Sequence, residues 1–60
     1  RLNDYQHAKV LIQAYQQDIS DYRRMKKEEK KEGLSDGRKR WFNRQIEDLR
    51  EKIQGLEEKL

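Results

Sequence analysis

Folded back on itself around Leu34, this chain pairs its apolar residues into layers. Tyr22 meets Ile46, Ile19 meets Leu49, Tyr15 meets Ile53, Ile12 meets Leu56 and Ala8 meets Leu60, and in each pair the residue numbers add to 68. Two helices packed antiparallel from a shared turn require this mirror, because both rise by the same amount per residue. In the second half, Phe42, Ile46, Leu49, Ile53, Leu56 and Leu60 recur at alternating steps of four and three. That is the seam of a helix with two apolar positions per heptad. Ile46, Ile53 and Leu60 take position a, and Phe42, Leu49 and Leu56 take position d. In the first half Tyr5, Ile12 and Ile19 occupy a, and Ala8, Tyr15 and Tyr22 occupy d. Lys26 takes the next a position, so the stripe fades before the turn.

The segment Glu32-Gly33-Leu34-Ser35-Asp36-Gly37 carries stop and start signals at the place the pairing selects. Gly33 suits the left-handed residue after a helix, since it has no Cβ to clash, and Leu34 is then the apolar residue that folds back on the last turn. Ser35 can cap the next helix, with Asp36 as a second candidate and well placed against the positive helix end. The expected fold is all-α: an antiparallel two-helix coiled-coil hairpin, a single unit with a helix over about 2–32, a turn over about 33–36 and a helix over about 36–60. Ile at a with Leu at d also suits a parallel dimer of straight helices. The two glycines and serine between 33 and 37 weigh against one continuous helix.

Flanking residues agree with the antiparallel register. Lys9 comes near Glu57, Asp18 near Lys52, and the methylene stem of Lys59 can cover Leu11. Gly55 falls at c, away from the seam, where it costs about 1 kcal/mol in helix propensity but blocks no packing. Leu11 and Met25 at g, with Val10 and Ala14 further round, make the first helix broader in its apolar face than a two-helix contact needs.

Sixty residues bury only a modest core, and domains of this size usually rely on a staple or a partner. There is no cysteine, hence no disulfide and no cysteine-based metal site. With no signal-peptide pattern and no apolar run near the roughly 20 residues of a membrane span, the expected setting is intracellular. The chain opens on Arg1 rather than methionine, which suggests a segment of a longer protein. The economical source of further burial is a second hairpin, giving a four-helix bundle, or helices elsewhere in the parent chain.

Little in the sequence suggests catalysis. His7, the only histidine, reads as a solvated helix residue near the open end. Asp36-Gly37 is reminiscent of a calcium loop, but with Gly37 as its invariant glycine, Glu32, Leu34 and Asn43 fall at the first, third and twelfth ligand positions, and Leu34 and Asn43 are poor ligands. No phosphate-cradling glycine motif or nucleophile–base set is present, so neither a cofactor, a metal nor a small-molecule substrate is expected.

Charge is unevenly distributed. From Arg23 to Arg44, ten basic and four acidic residues leave +6, while the rest, with five basic and eight acidic, carries −3. In a hairpin the positive charge gathers at the turn end. Arg23, Arg24, Lys27 and Lys31 of the first helix and Arg38, Lys39, Arg40 and Arg44 of the second are the candidate contacts to an anionic partner, with Trp41 among them as a stacking platform. In the competing reading these are solvated surface, and Trp41 covers the turn against Met25 or Leu34. A membrane surface ranks last, because no face of large apolar residues accompanies the basic stretch.

In outline the expected hairpin is similar to the Rop type of short helical hairpin, which dimerises into a four-helix bundle and binds RNA. The similarity is architectural and rests on no shared motif. Two functions follow as expectations: oligomerisation or protein–protein interaction through the core and interface residues (Tyr5, Ala8, Leu11, Ile12, Tyr15, Ile19, Tyr22, Phe42, Ile46, Leu49, Ile53, Leu56, Leu60), or nucleic-acid binding through the basic turn end.

Overall fold

The computed structural model describes residues 3–60 and is an all-α hairpin of two helices, α1 (Asp4–Glu32) and α2 (Asp36–Glu57). The expected start of the first helix at residue 2 lies outside the described residues. Among the described residues, α1 begins with a reciprocal cap. The Gln6 N–H donates to Asn3 Oδ1 at 2.8 Å, while the Asn3 N–H donates to Gln6 Oε1 at 3.3 Å. Two backbone donors that the first helical turn leaves unpaired are thereby satisfied.

The turn is short because its residues suit it. Gly33 has φ 103°, a conformation that side-chain-bearing residues avoid, and its N–H returns to the Lys30 carbonyl at 3.4 Å. Ser35, the first of the two candidate caps, opens α2 by accepting the Arg38 N–H on Oγ at 3.1 Å. Lys30 and Lys31 lie at the negative end of α1 and Asp36 at the positive end of α2, both favourable to the helix dipoles.

Ile19, Ile46, Leu49 and Ile53 form the central core, with Ile12, Tyr15 and Tyr22 packed against it. Phe42, with no exposed surface, closes the core toward the turn. Cross-helix contacts follow the expected register. The pairs Lys26–Asn43, Glu29–Arg38 and Tyr15–Lys52 have residue numbers adding to 69, 67 and 67, close to the predicted 68, while Tyr22–Phe42, adding to 64, joins neighbouring layers. No polar or charged side chain among the described residues is buried, so the core is purely apolar and every side-chain hydrogen bond lies on the surface.

The open end departs from expectation. α2 stops at Glu57, and Glu58 and Lys59 form a turn whose N–H groups return to Gln54, Leu56 and Glu57 with their neighbour Leu60. Leu60, expected at position a opposite Ala8, is 52% exposed, and Tyr5 is 53% exposed. Leu56 instead stands beside Ala8. Neither helix is long and apolar enough to cross a membrane.

Candidate interaction surfaces

The heptad pattern places the two helices' g and c positions on one broad side of the hairpin and their e and b positions on the other. Two open grooves mark these sides. Leu11, Tyr15, Lys52, Gly55, Leu56 and Lys59 line the first, of about 360 Å³. Arg23, Lys26, Asn43, Ile46, Glu47 and Arg50 line the second, of about 390 Å³.

The first side is apolar at its centre. Leu11, Tyr15 and Leu56 are half-buried around Gly55, which contributes no side chain. Met25 and Trp41 continue this side toward the turn and remain 38% and 41% exposed, with Val10 at its margin 52% exposed. The seam residues that the sequence singled out thus divide. Ala8, Ile19, Phe42, Ile46, Leu49 and Ile53 are buried, Leu11, Ile12, Tyr15, Tyr22 and Leu56 are half-buried, and Tyr5 and Leu60 stand outside the core.

At the turn end of this side, Arg38 closes an aromatic cluster. Its guanidinium lies 4.4 Å from the Trp41 ring centre and 4.6 Å from that of Phe42. Trp41 meets Phe42 and Tyr22 edge-on, with centres 5.1 and 5.7 Å apart. Arg38 also donates from Nε and Nη2 to the two oxygens of Glu29, at 2.9 and 3.1 Å. This paired bond holds the Glu29 carboxyl below its ordinary pKa and raises that of Arg38. Trp41 therefore packs edge-on against Tyr22 and Phe42, and Arg38 belongs to the structure of the hairpin rather than to a free basic patch.

The other expected contacts are also redistributed. Lys9–Glu57 and Asp18–Lys52 form no ion pair among the described residues, where only Arg24–Asp21 and Arg38–Glu29 come within range. Lys9 and Lys52 instead place their Nζ over the rings of Tyr5 and Tyr15, at 5.2 and 5.7 Å. Lys59 does share a groove with Leu11.

The basic residues of the turn end do not form a single patch. Arg24 pairs with Asp21 at 3.2 Å, and with Lys31 and Arg44 it occupies the backs of the helices. Arg23, Lys27 and Arg40 belong to the e and b side, and Lys39 lies at the tip. Lys26 completes the basic groove by donating to Asn43 Oδ1 at 2.7 Å. Arg50, on the same groove, was not a sequence candidate because it lies outside the Arg23–Arg44 stretch; its e position, on the same flank as Arg23, was the available signal. The Glu29–Arg38 pair was similarly foreshadowed, since the pairing rule brings 29 level with 39. Among the described residues no three His, Asp or Glu side chains gather as metal ligands would.

Comparison with protein-family models, curated proteins and solved structures finds no match for this chain.

Proposed function

We propose that this chain is a non-catalytic helical hairpin whose work is association, with a second copy of itself or with helices of a parent protein. The supporting observation is the apolar side around Leu11, Tyr15, Gly55 and Leu56, which the two-helix core leaves open and which Met25 and Trp41 extend. A hairpin this small gains by covering such a surface, because its own core is only a few layers deep. The test is sedimentation across a range of concentrations. Association should be visible at tens of micromolar, and Leu11→Glu, which would bury a charge against Tyr15 and Leu56, should shift the protein toward monomer while leaving its helicity intact. A wild-type monomer throughout, with melting independent of concentration, would refute self-association.

A second reading has its own supporting observation, the groove of Arg23, Lys26, Asn43 and Arg50, with Glu47 as its one acidic member. Lys9, Lys27, Lys30 and Arg40 are exposed on the same side. A nucleic-acid backbone would lie along this flank rather than across the tip. Titration with single- and double-stranded DNA and RNA should then give binding that falls steeply with salt, and replacing Arg23 and Arg50 by Gln should make that salt dependence shallower. No retained complex at low salt would leave the flank as solvated surface.

A further inference from the structure

The apolar side also carries information about how a partner would sit on it. Along this side the g and c positions of α1 hold Asp4, Asp18, Asp21, Glu28 and Glu32 with no lysine or arginine, His7 being the one imidazole among them. The same positions of the second arm hold Arg38, Lys52 and Lys59 against one acid, Asp48. One broad side of the hairpin therefore has an acidic edge and a basic edge, running lengthwise on either side of an apolar middle.

Two hairpins can appose this side about a two-fold axis in only two principal ways. With the axis across the helices, α1 lies on α1 of the other copy and the turns point in opposite directions. Acidic edge then meets acidic edge, and with the axis crossing at mid-helix Asp4 is level with Glu32 and Asp18 with its own symmetry mate. With the axis along the helices, α1 lies on α2 of the other copy and both turns point the same way. Opposite edges then meet. The two-fold axis permits no sliding, so residues of facing arms come level when their numbers add to about 68, as they do within one hairpin, and pairs adding to 70 are offset by only about 3 Å along the axis. Asp18 falls within side-chain reach of Lys52, and Glu32 within that of Arg38, while Leu11 lies beside the apolar stem of Lys59. Ala14 comes level with Gly55, at which an added Cβ would meet nothing within 4 Å in the single hairpin. Two such small residues let the arms close on the apolar middle. Only Asp21 and Asp48 meet as like charges, at the outer edge, and Asp21 is already engaged by Arg24.

Resting on the association reading above, we infer that the partner is a second copy of this chain, packed with each α1 against the other's α2 and both turns at one end. The result is a four-helix bundle in which every neighbouring pair of helices runs antiparallel. Size supports it: the hairpin spans 45 × 16 × 12 Å, so this side offers roughly 700 Å², close to the ~800 Å² each partner contributes to a standard interface. Symmetric closure also uses each apolar side once and leaves no open-ended surface. Complementary edges select the arrangement more than they strengthen it, since exposed ion pairs are individually weak. In this bundle the two basic grooves with Arg23 and Arg50 face outward.

Disulfide mapping tests the arrangement. Three single-cysteine chains, Ala14→Cys, Gly55→Cys and Asp18→Cys, are prepared, all at exposed positions. An equimolar mixture of Ala14→Cys and Gly55→Cys chains, one carrying a mass tag, is oxidised in dilute solution. The expected product is the mixed disulfide, in clear excess over either like-with-like product. Asp18→Cys alone should give little dimer, because the two α1 helices lie diagonally across the bundle. Efficient Asp18→Cys crosslinking would place α1 on α1 and overturn this inference while leaving association intact. A sedimenting dimer without the mixed disulfide, or a ladder of higher oligomers, would overturn it in the same way. Monomer at every concentration would overturn the association reading itself. Raising the salt concentration should weaken the dimer by less than about tenfold, because its centre is apolar.

Discussion

Phe42 is the residue whose loss the hairpin should tolerate least. Among the described residues it is the only fully buried large side chain, and it meets the ring of Tyr22 at 6.4 Å and that of Trp41 at 5.1 Å, with the Arg38 guanidinium above it. It also ends the apolar stripe: the next facing position on α1 is Lys26, which turns to Asn43 and cannot fill a void. Phe→Ala at buried sites costs about 3–5 kcal/mol, the upper part where neighbours cannot collapse into the cavity. A domain of this length has roughly 3–9 kcal/mol in total, at about 0.05–0.15 kcal/mol per residue. Phe42→Ala should therefore consume most of the stability, lowering the melting temperature by at least about 12 °C at about 4 °C or more per kcal/mol, or abolishing the cooperative transition. Far-ultraviolet circular dichroism melts and urea titrations, run at one protein concentration so that association contributes equally, give the measurement. Leu60→Ala is the matched control: 52% exposed beyond the end of α2, it should change stability by less than about 0.5 kcal/mol. Equal effects of the two substitutions, or a Phe42→Ala melt within about 4 °C of the parent chain, would show that the packing around Phe42 does not hold the turn end together.

Two glycines should respond to alanine with opposite signs. Gly33→Ala, at φ 103°, should destabilise by about 1–2 kcal/mol through backbone strain alone, since its Cβ would meet nothing within 4 Å. Gly55→Ala, inside α2 with equally open space, should stabilise the hairpin by about 1 kcal/mol; urea midpoints at low protein concentration check both. The Glu29–Arg38 bond predicts an acid-side effect. Because the folded Glu29 carboxyl is held below its ordinary pKa, its stabilisation is complete above the unfolded carboxylate range and fades as pH falls through the folded value. Glu29→Gln should melt with a shallower fall in stability across that acid window, and high salt should shrink the difference, since both side chains are partly exposed; identical acid limbs would show that the bond is lost in solution.

The hairpin was legible in the sequence because two local signals agree on one point. The 4–3 spacing of Phe42 through Leu56 marks a helix face with a period no strand can satisfy, and Gly33 and Ser35 stop one helix and start the next where the mirror pairing places the turn. These are properties of residue order, and order alone carries them.

Side-chain partners on the surface were less legible. A heptad letter names a flank but not which of several reachable groups a long side chain will choose. Lys52 had Asp18 within reach by position and lies over Tyr15; Arg38 had solvent and an anionic ligand open to it and takes Glu29, Trp41 and Phe42 together. Exposed ion pairs differ by less than about 1 kcal/mol, so the choice falls to local shape, which exists only after the helices pack.

Residue order thus specified two helices, their turn, their antiparallel register and the apolar core from Ile12 to Phe42. Tertiary packing decided how deeply each seam residue is buried, closing over Ile19 and Phe42 while leaving Ile12, Tyr15 and Tyr22 half-covered. Packing also split the positive charge between a structural Arg38 and an open groove reaching to Arg50. The physical reason is range: periodicity and capping act over a few residues, whereas the depth of burial and the partner of a charged group depend on what the opposite helix brings within a few ångströms.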